Sequence, residues 1–597
     1  MQKRYFIDPE HVLEEYPRPQ MVRSSYTCLN GSWEFAIRKD TVFPTLYPYT
    51  ILVPFSPQTE LSGLQKSIGS DEVMTYRRTF SYPALPDGHH LILHFTAVDH
   101  QCTVFVNGYI VGSHRGGYLP FSFDITKYVK KTGNNELIVQ VRDPGDTEPI
   151  IRGKQSKKNT GIYYSGQSGI YQTVWLEQVP ENYIHELIIT ANLPQQCWYV
   201  TVVSTSNNQE VTISFLDGQK KTKGLVGQRL CCQVLHPRAW TVEDPYLYHF
   251  TVEMGEDVVQ SYVGLRSFGV SDGMLLLNGK PYFHHGVLDQ GYWPHSLYTP
   301  VCGQAMLDDI KLIKKLGFNM VRKHQKVESL RWYHHCDTQG LLVWQDMVRG
   351  GRNPIQPIMS GPLLFSDLSI KDHHYSLLGS QDEQYREDYE MELRAMIKTL
   401  YNCTSIAMWV LFNEGWGQFD AKRHLEMVKT LDSTRTIDPT SGWYDQGIGD
   451  FKSVHTYFKP FSMQGDRYGR ATLLSEFGGI VFNQPNCAEV GQKPFGYAQV
   501  KTREDFNEAF FSLYSTQVYP AKKKGLSASV YTQLTDVEQE TNGLITFDRL
   551  YLKLDESVAL QVAALLFIEK SPEDVDSKEV IREQQNQDRC RSNQTKI

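Results

Sequence analysis

Through the first third of the chain, apolar residues come in short runs that alternate with polar ones and break at turn residues. "HHLILHFTAVD" (89–99), "QCTVFVNGYIVGSHRGG" (101–117), "NELIVQVRD" (135–143) and "IYQTVWLEQV" (170–179) read as β-strands, and Asn107-Gly108 inside the second run marks a hairpin. The pattern predicts a β-sandwich over residues 1–182. "YVTVVSTS", "VTISFLDG" and "YHFTVEM" continue the β grammar at a length that suits a small immunoglobulin-like sandwich over 183–270. From "MLLLNGKPYFHHGV" (274–287) onward, helical periodicity alternates with short apolar strands. "AMLDDIKLIKKLG" precedes "FNMVR", "LRWYHHCDTQG" precedes "LLVWQDM", and "YREDYEMELRAMIKTLY" precedes "IAMWVLFNE". Helix-then-strand units, two of them with a glycine (Gly317, Gly340) where a helix would end, imply a parallel sheet. Over residues 271–597 its most economical form is a (β/α)8 barrel, with chemistry at the C-terminal ends of the strands.

Two of those strand ends stand out. The run "IAMWVLF" stops in Asn413-Glu414, and 62 residues later "ATLL" stops in Ser475-Glu476 followed by two glycines. A Glu at a strand end more often makes a surface salt bridge than does chemistry. Two of them at the mouths of different barrel strands would instead share one pocket. That is what a retaining glycosidase needs, with one carboxyl as proton donor and the other as nucleophile, about 5 to 5.5 Å apart. Arg322, which ends "FNMVR", and Tyr457 in "SVHTYF" are the candidates to hold a nucleophilic carboxylate ionised and oriented, with His455 beside them. Trp344 and Trp293 are candidates for stacking on a sugar, Asp289 and Asp346 for its hydroxyls, and His285 for the pocket lining. The tryptophans flanking Glu414, Trp409 and Trp416, would lower the solvation of that carboxyl.

Composition narrows the alternatives. The 60 basic and 67 acidic residues are interspersed and leave a net charge of −7, which gives no nucleic-acid surface. The start carries no apolar leader and no stretch reaches a membrane span, so a cytoplasmic protein is expected. Ten cysteines, only Cys231 and Cys232 adjacent, suggest reduced thiols and no zinc site. The charged, Gln-rich stretch after Lys570 reads as a tail.

Several phrases together carry a resemblance across nearly the whole chain: "LNGSWEF", "VFVNGYIVGSHRGGY", "SGIYQTVWL", "LLNGKPYFHHGV", "LGFNMVRKH", "CDTQGLLVW", "LFNEGWG" and "SEFGG". They resemble glycoside hydrolase family 2, the family of β-galactosidases, β-glucuronidases and β-mannosidases. The resemblance implies a jelly-roll domain, an immunoglobulin-like sandwich and a catalytic barrel acting on terminal β-glycosides of a carbohydrate substrate, with no cofactor and with room for a homo-oligomer. It further implies Glu414 as acid/base, Glu476 as nucleophile and Asn413 as partner of the sugar 2-hydroxyl.

The chain also departs from the family pattern. His324 follows Arg322 by two residues, where three is usual, and Tyr531 stands where the family carries a Trp near the nucleophile, which makes it a candidate for the sugar-binding wall. Of the magnesium ligands seen in some β-galactosidases, "WQDMV" offers Asp346 but has Val348 at the second place, so no metal is expected. The Asn-x-Lys motif with which bacterial β-glucuronidases hold a uronate is incomplete: Asn542 is followed by Gly543 and Leu544. Lys323 and Arg549 are the cations that could replace the lysine. The expectation is a β-galactosidase, with a β-glucuronidase or related uronidase as the alternative and a non-catalytic carbohydrate-binding protein as a remote one.

Overall fold

The computed structural model describes residues 5, 7–130, 132–216, 221–354, 370–483 and 495–568. The tail after Lys570 lies outside the described residues. The first sandwich packs a six-stranded antiparallel sheet on a four-stranded one. Trp33, Phe35, Tyr76, Leu93, Val104 and Val139 fill the space between them and are essentially inaccessible to solvent. Asn107-Gly108 joins Gln101–Val106 to Tyr109–Arg115 with both residues at positive φ, +51° and +83°, the turn that matches strand twist. The second sandwich sets a three-stranded sheet (Glu186–Asn192, Cys197–Val203, Arg229–Gln233) against a four-stranded one, around Trp198.

The eight barrel strands are β1 (His284–Asp289), β2 (Met320–Lys323), β3 (Leu342–Asp346), β4 (Ile406–Val410), β5 (Thr436–Asp438), β6 (Phe451–Thr456), β7 (Ala471–Gly478) and β8 (Leu526–Thr532). They run parallel in the order β5-β4-β3-β2-β1-β8-β7-β6, and only the β5–β6 seam lacks a ladder, so the barrel is nearly closed. The helix Leu330–Gln339 stops where the pattern places its end: Gly340 adopts φ +70°, and its N–H caps the Cys336 carbonyl.

Burial on both faces of the strands decides which side chains can reach the mouth. Met320, Leu342, Trp344, Met408, Leu473 and Val530 fill the barrel interior. Arg322 and Asp346, two residues further along β2 and β3, continue the same inward face. Between the strands and the surrounding helices lies the larger apolar cluster, which includes Val287, Trp409 and Tyr531. Residues that face this outer layer, among them Val287, Val321, Trp409 and Tyr531, are therefore lost to the pocket.

Candidate active site

Glu476 leaves β7 at its C-terminal end and is buried. Arg322 Nη1 donates to its Oε1 at 3.1 Å and the Tyr457 hydroxyl donates to its Oε2 at 2.5 Å. His455 Nε2 lies 3.6 Å from Oε1. Burial pushes the Glu476 carboxyl up, but His455 and Arg322, with His324 and Lys154 further off, outweigh it and hold the group near a pKa of about 2. Glu476 is an anion at any ordinary pH.

Glu414 approaches from the loop after β4. Its backbone sits at φ +53°, a region costly for a non-glycine residue, and its N–H is tied to the Ser441 carbonyl at 2.9 Å. This strained turn carries the carboxyl back over the barrel, where Oε1 meets His455 Nδ1 at 2.9 Å. One ring thus faces both glutamates. Donor atoms of Glu414, His455 and Glu476 lie mutually within 4.8 Å, and these three side chains are where an ion would sit if the site took one.

Arg322 is fully buried and organises the rest. Its Nε and Nη2 grip both oxygens of Asp346 at 2.9 and 3.1 Å, Nη2 also donates to Asn413 Oδ1 at 2.8 Å, and Nη1 reaches the Ser475 carbonyl at 3.1 Å. With Oδ1 occupied, the Asn413 amide is left with its N–H bonds to offer. His324 Nδ1 bonds Asp346 at 2.6 Å, so the histidine with unusual spacing orients the carboxylate that orients the arginine. Tyr457 stacks face to face on Tyr497, centroids 3.8 Å apart, and its oxygen also meets Thr532 Oγ1 at 3.0 Å.

Six expected residues therefore converge here: Glu414, Glu476, Asn413, Arg322, Tyr457 and His455. The others do not face the pocket as expected. Trp344 is wholly buried in the barrel interior, its indole N–H bonded to His284 at 2.9 Å, and offers no face to a sugar. Asp346 is at the site, but both oxygens are spent on Arg322 and His324, so it is no hydroxyl ligand. Asp289 and Lys323 point outward from β1 and β2 and pair at 2.5 Å, with Glu328 as second partner of the lysine, beneath Trp332. Trp293 is buried with the Arg549 guanidinium 4.2 Å above its ring, and that arginine also bonds Asp309 and the Tyr292 carbonyl. Tyr531 and His285 both lie in the layer between barrel and helices, His285 stacked on Phe318. Trp409 faces the same layer and bonds Asp432, so of the two tryptophans flanking Glu414 it is Trp416 that stays near the mouth, while Trp443, not anticipated, lies edge-on to the His455 ring at 6.5 Å. Tyr497, Ser441 and Lys154 were not singled out from the sequence, because they come from loops with no periodic signal.

A nearly closed barrel with two facing carboxylates at its mouth, behind two β-sandwiches, is the architecture of a multidomain glycoside hydrolase. Sequence profiles agree: "Glycosyl hydrolases family 2, sugar binding domain" matches residues 69–180, "Glycosyl hydrolases family 2" matches 186–266, and its "TIM barrel domain" matches 268–465. The chain belongs to glycoside hydrolase family 2. Similar curated proteins include a putative beta-glucuronidase of Formosa agariphila, 28% identical over 62% of this chain and 47% of the relative. A beta-glucuronidase of Streptococcus agalactiae is 26% identical over 67% and 68%, and a beta-galactosidase of Leuconostoc mesenteroides is 25% identical over 75% and 42%. The chain thus spans about half the length of two of these three relatives. Among solved structures, the beta-D-glucuronidase of Dictyoglomus thermophilum superposes with TM-score 0.70 at 19% identity, covering 93% of this chain and 99% of that one. A beta-galacturonidase of Eisenbergiella tayi bound to galacturonate gives 0.68 at 19%, covering 92% and 99%. At such identities these two show a shared fold. Among the described residues no helix is long and apolar enough to cross a membrane.

Proposed function

We propose that this protein is a retaining, exo-acting β-glycosidase, with Glu476 as nucleophile and Glu414 as acid/base. The observation that carries this reading is the pair of carboxylates facing each other within 4.8 Å in unequal surroundings. Glu476 is held ionised by His455 and Arg322 and accepts a bond from the Tyr457 hydroxyl, while the Glu414 carboxylate meets His455 Nδ1. In the first step a Glu476 oxygen attacks the anomeric carbon as the bond to the leaving oxygen breaks, and Glu414 gives that oxygen its proton. In the second, Glu414 takes a proton from water, which attacks the same carbon and frees Glu476. The Asn413 amide, fixed by Arg322, donates to the substituent at C2.

Two sugar classes are in play. A β-galactoside follows from the commonest activity of the family. A β-uronide is favoured by the charge at the mouth. The test is a panel of nitrophenyl β-glycosides (galactoside, glucoside, mannoside, glucuronide, galacturonide), with proton NMR of the first-formed product. Turnover with the β-anomer released first is expected; release of the α-anomer first would overturn the double displacement.

A further inference from the structure

Among the contacts of the first sandwich with the loops at the strand ends is the segment 152–165. It is fastened on one side to the loop after β3. The N–H groups of Arg152 and Gly153 both donate to the Arg349 carbonyl (3.0 and 2.9 Å), Arg349 Nε returns a bond to the Gly153 carbonyl (3.2 Å), and Arg152 Nη1 holds the Gly351 carbonyl (2.7 Å). On the other side it is fastened beyond β8, where Asn159 and the Ser165 N–H bind the Glu538 carboxylate and the Tyr164 hydroxyl binds Glu540. Gly153 is obligatory at this crossing. Its φ is +62°, and a Cβ there would come within 2.8 Å of the Gln325 carbonyl, next to His324 of the site.

Lys154 is the next residue, and its ammonium lies 5.7 Å from the centroid of the Tyr164 ring. Among the described residues no carboxylate lies within 4 Å of it, nor of Arg152 or Arg349, the latter stacked on Trp416 at 4.3 Å. The other cations near the strand ends are committed: Arg322 to Asp346 and Glu476, Lys323 to Asp289 and Glu328, Arg549 to Asp309. The charge of Lys154 is felt at both Glu476 and His324. Glu540, held by Tyr164 and Asn542, is the nearby anion it must outweigh. An uncommitted cation at the mouth, beside an anionic nucleophile, lowers the penalty for admitting a substrate that is itself an anion.

Resting on the glycosidase reading above, we propose that Lys154, delivered by the first sandwich, is the residue that selects a carboxylate-bearing sugar, making the preferred substrate a β-uronide. It would do the work that the incomplete motif at Asn542 leaves undone. The test compares wild type, Lys154→Met and Lys154→Arg on nitrophenyl β-glucuronide and β-galacturonide against the β-glucoside and β-galactoside, after thermal melts establish that each variant folds. The wild type should prefer a uronide, and the uronide-to-hexoside ratio of kcat/KM should fall about 30-fold or more in Lys154→Met while Lys154→Arg restores most of it. Equal losses for both sugar classes, or a ratio that does not move, would overturn the proposal and leave the glycosidase reading standing. Calorimetric binding of sodium D-glucuronate and D-galacturonate against glucose and galactose is the second arm, independent of turnover. Uronate preference that disappears in Lys154→Met in a protein that hydrolyses no glycoside would support the role of Lys154 and refute the glycosidase reading. Absence of any uronate preference in the wild type would overturn the former.

Discussion

Replacing Arg322 by lysine keeps one positive charge but removes the shape that uses it. The guanidinium makes four side-chain bonds at 2.8 to 3.1 Å, two to Asp346, one to Asn413 and one to Glu476, from a position with no solvent exposure. An ammonium on a flexible stem cannot span three partners in a plane. At least two of those bonds are lost, and leaving buried, charged acceptors unsatisfied costs about 1.5 to 3 kcal/mol each. The expected result is a fall in kcat/KM of roughly two to four powers of ten. The pH dependence moves as well. Glu476 is held down from its ordinary 4.5 to about 2, with His455 and Arg322 overcoming burial. A depressed carboxyl contributes stability that is fully present above about pH 4.5 and lost as pH falls towards 2, on the order of 3 kcal/mol. Loosening Arg322 raises that pKa, so the acid limb of kcat/KM and the onset of acid unfolding should both shift to higher pH. The assay is kcat/KM from pH 3 to 9 on the best nitrophenyl glycoside, with thermal melts across the same range. A variant within fivefold of wild type, with no acid limb entering that pH range, would show that Arg322 does not set the state of Glu476.

Glu414→Ala should slow the first step far more for poor leaving groups than for nitrophenols, which need little proton donation; equal losses across a leaving-group series would remove the acid role. Trp344→Ala should cost about 3 to 5 kcal/mol of stability by denaturant melt, because the ring fills the barrel interior; a change in sugar preference without loss of stability would return Trp344 to the pocket. Lys323→Met should destabilise the fold by about 3 to 5 kcal/mol, since Asp289 and Glu328 lose a buried partner. Its uronide-to-hexoside ratio should stay at the wild-type value, in contrast to Lys154→Met.

The contrast between Arg322 and Lys323 shows what could be read from the sequence. Residues that end an apolar run at a β-to-loop junction were legible: Arg322, Asn413, Glu414 and Glu476 all interrupt a run that has no other reason to turn polar. Which way a residue inside such a run points was not legible. Barrel strands are apolar on both faces, so their pattern is continuous and carries no parity. The pattern therefore puts Trp344 at the sugar, whereas it faces inward below it, and puts Asp289, His285 and Tyr531 in the pocket, whereas they face the helices. The three layers of architecture were legible from the change of period at about residue 274 and from turn residues such as Asn107-Gly108. Lys154 was not, because "RGKQSKK" has no hydrophobic pattern and its position depends on how the first sandwich is fastened to Arg349 and Glu538. The incomplete motif at Asn542 favours a neutral sugar; under the proposal for Lys154 the cation would come from another domain, which motif spacing within the barrel does not show.

The double displacement requires Glu476 to form a covalent bond to the sugar. The direct measurement is mass spectrometry of the protein after incubation with a 2-deoxy-2-fluoro-β-glycosyl fluoride of the preferred sugar, followed by peptide mapping. The fluorine slows both steps and the fluoride leaving group keeps the first one fast enough for the glycosyl-enzyme to accumulate. One added fluoroglycosyl unit per chain, on the peptide carrying "LLSEFGG" and on Glu476 within it, is the predicted result. A protein that turns over the parent glycoside yet takes up no label, or carries it on Glu414 or any other residue, would contradict the assignment.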